Sequence, residues 1–114
     1  VISVVIDEDL DVRLRRHFGP DVRAETVAYR GWKRQKNGVL LRAMTEAGDV
    51  DVFVTADQNL RHQQNVAALP FAVLVLRPRR KLLPYLLELM PEIMRLLPTL
   101  RPGTVEEVGP SPSA

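Results

Sequence analysis

Apolar residues along this chain fall into two kinds of run, and their alternation predicts a fold. Ile2-Ser3-Val4-Val5-Ile6, Val52-Phe53-Val54-Thr55 and Phe71 to Leu76 are short, β-branched or aromatic, and almost free of polar interruption. Strands of that composition are buried on both faces, as in a parallel sheet flanked by helices. Between them the apolar period lengthens. Leu10, Leu14 and Phe18 recur every four positions and predict a helix from about Leu10 to Phe18, broken by Gly19-Pro20. Leu40, Leu41, Met44 and Ala47 predict a second helix, opened by Asn37 and closed by Gly48. A third is expected from Gln58 to Ala67, before Leu69-Pro70. Val22 to Val27 alternates like a partly exposed strand, and Thr104 to Val108 reads as a short edge strand.

Residues 79–100 follow neither pattern. Leu82, Leu83, Leu86, Leu87, Leu89, Met90, Ile93, Met94, Leu96 and Leu97 leave only a narrow polar stripe. Pro84 suits a first helical turn, whereas Pro91 predicts a kink or a split. A helix ringed by so many apolar side chains needs cover on two sides, so a homodimer burying part of Leu82–Leu97 is expected. The charges and prolines argue against a membrane span. Strand and helix alternation predicts an α/β fold of three layers, α/β/α, around a mainly parallel sheet of four to five strands with right-handed crossovers. Residues 1–108 form its one domain, and 109–114 a Pro/Ser tail without the composition to order itself.

Composition narrows the chemistry. The 114 residues include no cysteine, which excludes disulfides and thiolate metal sites and suits a reducing cytoplasm. With only two His, a zinc centre is not expected. The first apolar run is short and ends in acids, unlike a signal peptide. Net charge is +2, but bases gather at 13–16, 30–36 and 77–81 while acids gather at 7–11 and 46–57.

Two of those acids end strands. Asp7 follows the first and Asp57 the third, where open α/β sheets place ligand sites. If the strands are neighbours, the carboxylates stand close and repel unless a proton or cation intervenes. A hard divalent ion, Mg²⁺ or Mn²⁺, suits such a group, with Glu8 and Asp9 as further oxygen donors. Helix capping is the ordinary alternative; it is the expectation for Asp9, whereas Asn59 could cap in place of Asp57. Arg61 and Gln64, four and seven positions after Asp57, are candidates to bind substrate or orient water, with Asn59 beside them. Arg30, Trp32, Lys33, Arg34 and Lys36 combine bases with an aromatic, as single-stranded RNA binding does. A lone Trp also packs commonly against a core.

The acidic pair after the first strand resembles a receiver domain of two-component signalling, with Asp57 as phosphoacceptor. The next lysine after the Phe71–Leu76 strand is Lys81, beyond Pro78, where it is not expected to reach a phosphoryl group. A longer resemblance, from Val4 to about Val108, is to small bacterial PIN-like proteins related to the toxins of VapBC-type pairs. It rests on Asp7-Glu8-x-Leu10, on Arg30-Gly31-Trp32 before Lys36-Asn37-Gly38-x-Leu40-Leu41, and on Val54-Thr55-Ala56-Asp57-x-Asn59-Leu60-Arg61-x-Gln63-Gln64-Asn65. That resemblance implies a PIN-like fold, an acidic Mg²⁺ or Mn²⁺ centre, cleavage of RNA, and an antitoxin protein as partner. It places Asp7 and Asp57 at catalytic and metal-binding positions, and implies a third acid after Asn37-Gly38, where this chain has Val39.

Overall fold

The computed structural model describes residues 1–110. Its centre is one five-stranded, all-parallel sheet in the order β2-β1-β3-β4-β5, built from β1 (Ile2–Ile6), β2 (Val22–Thr26), β3 (Val52–Thr55), β4 (Ala72–Leu76) and β5 (Val105–Val108). The helices are α1 (Asn37–Ala47), α2 (Leu60–Gln63), α3 (Leu83–Leu87) and α4 (Met90–Leu96). β3 and β4 are buried along their whole lengths, as their unbroken apolar sequences require. The three-layer α/β/α architecture expected from the sequence is the one observed.

Alternation along the strands sorts the core into two faces. Val4, Ile6, Val52, Val54, Leu74 and Leu76 share one with Leu10, Leu14, Phe18, Leu86, Leu89, Ile93 and Leu97. Val5, Phe53, Val73 and Val75 share the other with Leu40, Leu41, Met44, Leu60 and Val66. These layers overturn one expectation. Stepping from β1 to β2 crosses the first face, while β2 to β3 and β3 to β4 step the opposite way across the second, so all three share one hand. The β4–β5 connection also steps that opposite way, but runs over the first face, so its hand is reversed. Connections of that kind are rare. Here the first face would otherwise be covered only by the 10–18 segment, and the apolar α3–α4 segment closes it.

Three helices are shorter than their apolar spacing predicts. The 10–18 segment holds only a 3₁₀ helix, Val12–His17, with Leu14 buried beneath it. The 58–67 segment divides into α2 and a 3₁₀ turn, Val66–Ala68. Pro91 does split the long apolar segment: α3 and α4 are separate, each with a proline in its first turn. Breaking the helix lets both halves lie on the sheet. Leu86, Leu89, Met90, Ile93 and Leu97 are buried, four neighbours are half-buried, and only Leu82 is exposed, at 55%. The expectation that several of these residues lack cover, on which the Leu82–Leu97 dimer was based, is therefore not met.

Turn glycines hold the layers in place. Gly48 ends α1 at φ +72°, its N–H donating to the Met44 carbonyl. Gly103, at φ +78°, lies so near the 66–68 turn that a Cβ would stand 2.8 Å from the Ala67 carbonyl oxygen. Gly103→Ala combines a left-handed backbone with a clash against another backbone, and is expected to cost about 2–3 kcal/mol. A urea titration checks this; an unchanged midpoint would contradict it. The tail lies mostly outside the described residues.

Candidate acidic site at the strand-order reversal

β1 sends the chain to β2 on one side and is flanked by β3 on the other, so the strand order reverses between β1 and β3. Open α/β sheets bind ligands beyond the carboxyl ends of the strands at such a point. Asp7 follows β1 and Asp57 follows β3 by two residues, and the two strands pair in register through Ile6 and Val54. The sequence expectation that Asp7 and Asp57 share one end of the sheet is thus met.

One buried hydroxyl ties them together. Thr55, fully buried, donates from Oγ1 to Asp7 Oδ2 at 2.7 Å and accepts the Asp57 N–H at 3.0 Å. Asp7 Oδ1 also accepts the Glu8 N–H at 2.8 Å. Asp57 Oδ1 accepts the Asn59 N–H at 2.9 Å, and its Oδ2 accepts Asn37 Nδ2 at 2.9 Å from the first turn of α1. Asp57 therefore also makes the turn into α2 that Asn59 was expected to make, and Asn59 caps nothing with its side chain. Sequence reading missed Asn37 and Thr55 as site residues. An Asn-Gly helix start was the sole visible sign of the first, and a threonine ending a buried strand of the second.

The third acid at the site is Asp9. The cap of the Val12–His17 turn is Asp11, whose side chain accepts the Arg13 N–H, so the expectation that Asp9 caps a helix is wrong. Asp9 instead reaches across to β3, where its Oδ2 accepts the Ala56 N–H at 3.1 Å. Glu8 is exposed, with Oε1 accepting the Arg34 N–H at 2.6 Å. That bond pins a residue held at φ +61°, an uncommon conformation for arginine, and fixes the basic loop beside the acids. Val39, at the position where the PIN-like resemblance implied a third acid, is 47% exposed.

Asp7, Glu8, Asp9 and Asp57 line an open cleft of about 610 Å³ with Gln35, Gln58, Asn59 and Lys81. Lys81 is thus nearer than its place beyond Pro78 suggested. The other expected substrate contacts lie elsewhere. Arg30 binds Glu25 and Asp49 and stacks 4.5 Å over the Trp32 ring, which itself packs on the core. Arg61 pairs with Glu107 of β5, whereas Gln64 sits beside Gly38 at the start of α1. Lys36 is exposed immediately before α1 and does not line the cleft.

Burial and crowding of like charge mark the site electrostatically. Burial, partly offset by the Thr55 hydrogen bond and reinforced by Glu8 and Asp57, raises the Asp7 pKa. Burial first, and then the Asp7 charge, pushes Asp9 up to about 6. Both folded-state values lie above the unfolded one; the Asp9 contribution to stability is full below about pH 3.8 and is lost as pH rises through about 6, and Asp7 acts in the same direction. With a chelator present, Asp9→Asn is expected to flatten this decline and raise stability at pH 7. The gain is about 1–2 kcal/mol once solvent screening at a partly exposed carboxyl is allowed for. Thermal melts at pH 4.5 and 7 measure it; parallel pH dependence in both proteins would disprove it.

The donor set suits a hard cation. Each carboxylate oxygen of Asp7 and Asp57 accepts one internal hydrogen bond and keeps a lone pair directed elsewhere. Mg²⁺ retains several waters and is often held by only one or two carboxylates. Among the described residues no three His, Cys, Asp or Glu side chains converge into a closed metal-binding group. The fit is to a water-rich ion on two aspartates. Comparison with protein-family models, curated proteins and solved structures finds no match to the chain.

Proposed function

We propose that this chain is a PIN-like, metal-dependent ribonuclease-type protein, the toxin component of a cytoplasmic toxin–antitoxin pair. The observation that carries the reading is the Asp7–Thr55–Asp57 linkage at the strand-order reversal, with Asp9 crowded against it. Asp7 and Asp57 would hold Mg²⁺ or Mn²⁺, which when bound supplies an activated water and charge stabilisation for a phosphodiester. Asp9, which accepts the Ala56 N–H beside the two aspartates, is placed to take a proton at its carboxylate. Lys81 offers the cleft its cation for a substrate phosphate, and Arg34 stands beside it with its N–H bound to Glu8. The antitoxin would be a protein that blocks this open cleft.

The direct test is single-stranded RNA incubated with purified protein in Mn²⁺, with and without chelator. Cleavage that stops on chelation is expected; intact RNA at high protein concentration, with Mn²⁺ present, counts against the enzyme. Growth arrest on expression is the corresponding result in cells.

Lys81 favours a second reading. A parallel sheet in the order 2-1-3-4-5, acids after β1, Asp57 after β3 and a lysine in the same cleft also suit a receiver-like regulatory module. Acetyl phosphate would then add a hydroxylamine-labile phosphoryl group to the wild type and not to Asp57→Asn, read by intact mass. No mass gain rejects that module.

A further inference from the structure

The two edges of the sheet differ in how they can meet another strand. β5 carries Glu106 and Glu107, so pairing it antiparallel with its own copy about its centre would set acid against acid. β2 is self-complementary. Its sequence Val22-Arg23-Ala24-Glu25-Thr26, turned antiparallel about Ala24, sets Arg23 against Glu25 of a second copy and Val22 against Thr26.

The backbone agrees on the same centre. Ile2 N–H donates to the Asp21 carbonyl and Val27 N–H to the Ile6 carbonyl, so odd-numbered residues of this strand face β1. Even-numbered residues then direct their polar groups outward. Val22 N–H is taken by the Gly19 carbonyl, and the Thr26 carbonyl accepts the Arg30 N–H. That leaves the Ala24 N–H and carbonyl, the Val22 carbonyl and the Thr26 N–H facing out, with no strand pairing this edge among the described residues. A two-fold axis beside Ala24 matches them all. Ala24 exchanges both bonds with its own copy, and each Thr26 N–H meets a Val22 carbonyl.

The surface beside this edge is open and partly apolar. A groove of about 650 Å³ runs along it, lined by Val12, Arg15, Ala24 and Tyr29 among others. Val12 is 56% exposed and Tyr29 76%, two of the few large apolar side chains left in solvent. An unblocked edge of this kind is a template for another strand.

We infer that β2 is a self-association edge, pairing antiparallel with β2 of a second copy of this chain about Ala24. The result is one continuous sheet carrying two acidic clefts. Light scattering across micromolar to millimolar concentration should show a concentration-dependent dimer. Arg23→Glu, which opposes two acids, and Ala24→Pro, which removes the central donor, should both be monomeric with circular dichroism unchanged. Because Ala24→Pro strains the strand, the exchange Arg23→Glu with Glu25→Arg is the rescue and should restore the dimer. Register is read separately. Oxidised Ala24→Cys, in a chain without other cysteines, should cross-link to a dimer, since the paired Cα atoms of such a bridge stand about 5.5 Å apart. A wild type that stays monomeric throughout overturns the inference. So does a dimer that survives Arg23→Glu and Ala24→Pro, since another surface would then hold it.

Discussion

Asp57→Asn is expected to lower Mn²⁺-dependent RNA cleavage by at least ~10²-fold, the scale seen when a preorganised charge at a reacting phosphate or carbonyl is removed. The fold should survive. Asn at this position still offers an oxygen to the Asn59 N–H, and the Asn37 amide can turn to meet the new group. Asp57 also raises Asp7 and Asp9 through its charge, so neutralising it relieves repulsion. Melting temperature without metal should therefore hold or rise while activity disappears. Asp7→Asn should behave alike, and calorimetry should find Mn²⁺ binding weakened in both. Activity and Mn²⁺ affinity undiminished in these variants would refute the acidic centre whatever the wild type does.

Phe53→Ala is expected to have the largest effect on stability. Phe53 has no exposed surface, lies in β3 between β1 and β4, and packs beneath α1 with Leu40, Leu41 and Met44. Removing a fully buried phenylalanine costs about 3–5 kcal/mol, against a typical domain stability of ~5–15 kcal/mol. The variant should unfold at a much lower urea concentration with an unchanged slope. Thr55 is two residues further along the same strand, so a loosened β3 should also loosen the hydroxyl that joins the two acids. A midpoint close to wild type would mean that the second face repacks far more freely than its burial implies.

Both predictions concern residues that a reader of the sequence would single out, and there is a physical reason. Short apolar runs are strands wherever they are buried on two sides, and a carboxylate after such a run is carried to the sheet's carboxyl end by strand direction alone. Asp7 and Asp57 were legible for that cause. Asn37, twenty positions from Asp57, was not, because its amide meets the carboxylate only once α1 has docked. Asp9 was misread as a cap because Asp11, two positions on, was equally suited to the turn and is the residue that takes it. Lys81 looked too remote because a loop's path past Pro78 has no periodicity to read. Arg30 and Arg61 looked free, yet each meets an acid far off in sequence or on another strand.

What the sequence determined by itself was local and directional: the parallel strands, the α1 boundaries at Asn37 and Gly48, the break at Pro91, and the end of the sheet at which the acids stand. Hydrophobic period, turn chemistry and a proline's missing N–H act over a few residues, so they can be read from a few residues. Tertiary structure alone decided which strands are neighbours, which face the α3–α4 segment covers, and hence the reversed hand of the last connection. It also decided which cations are neutralised by distant acids and which one reaches the cleft. Those outcomes depend on how much apolar surface each face leaves uncovered and on pairings between residues distant in sequence, energies that exist only after the layers have packed.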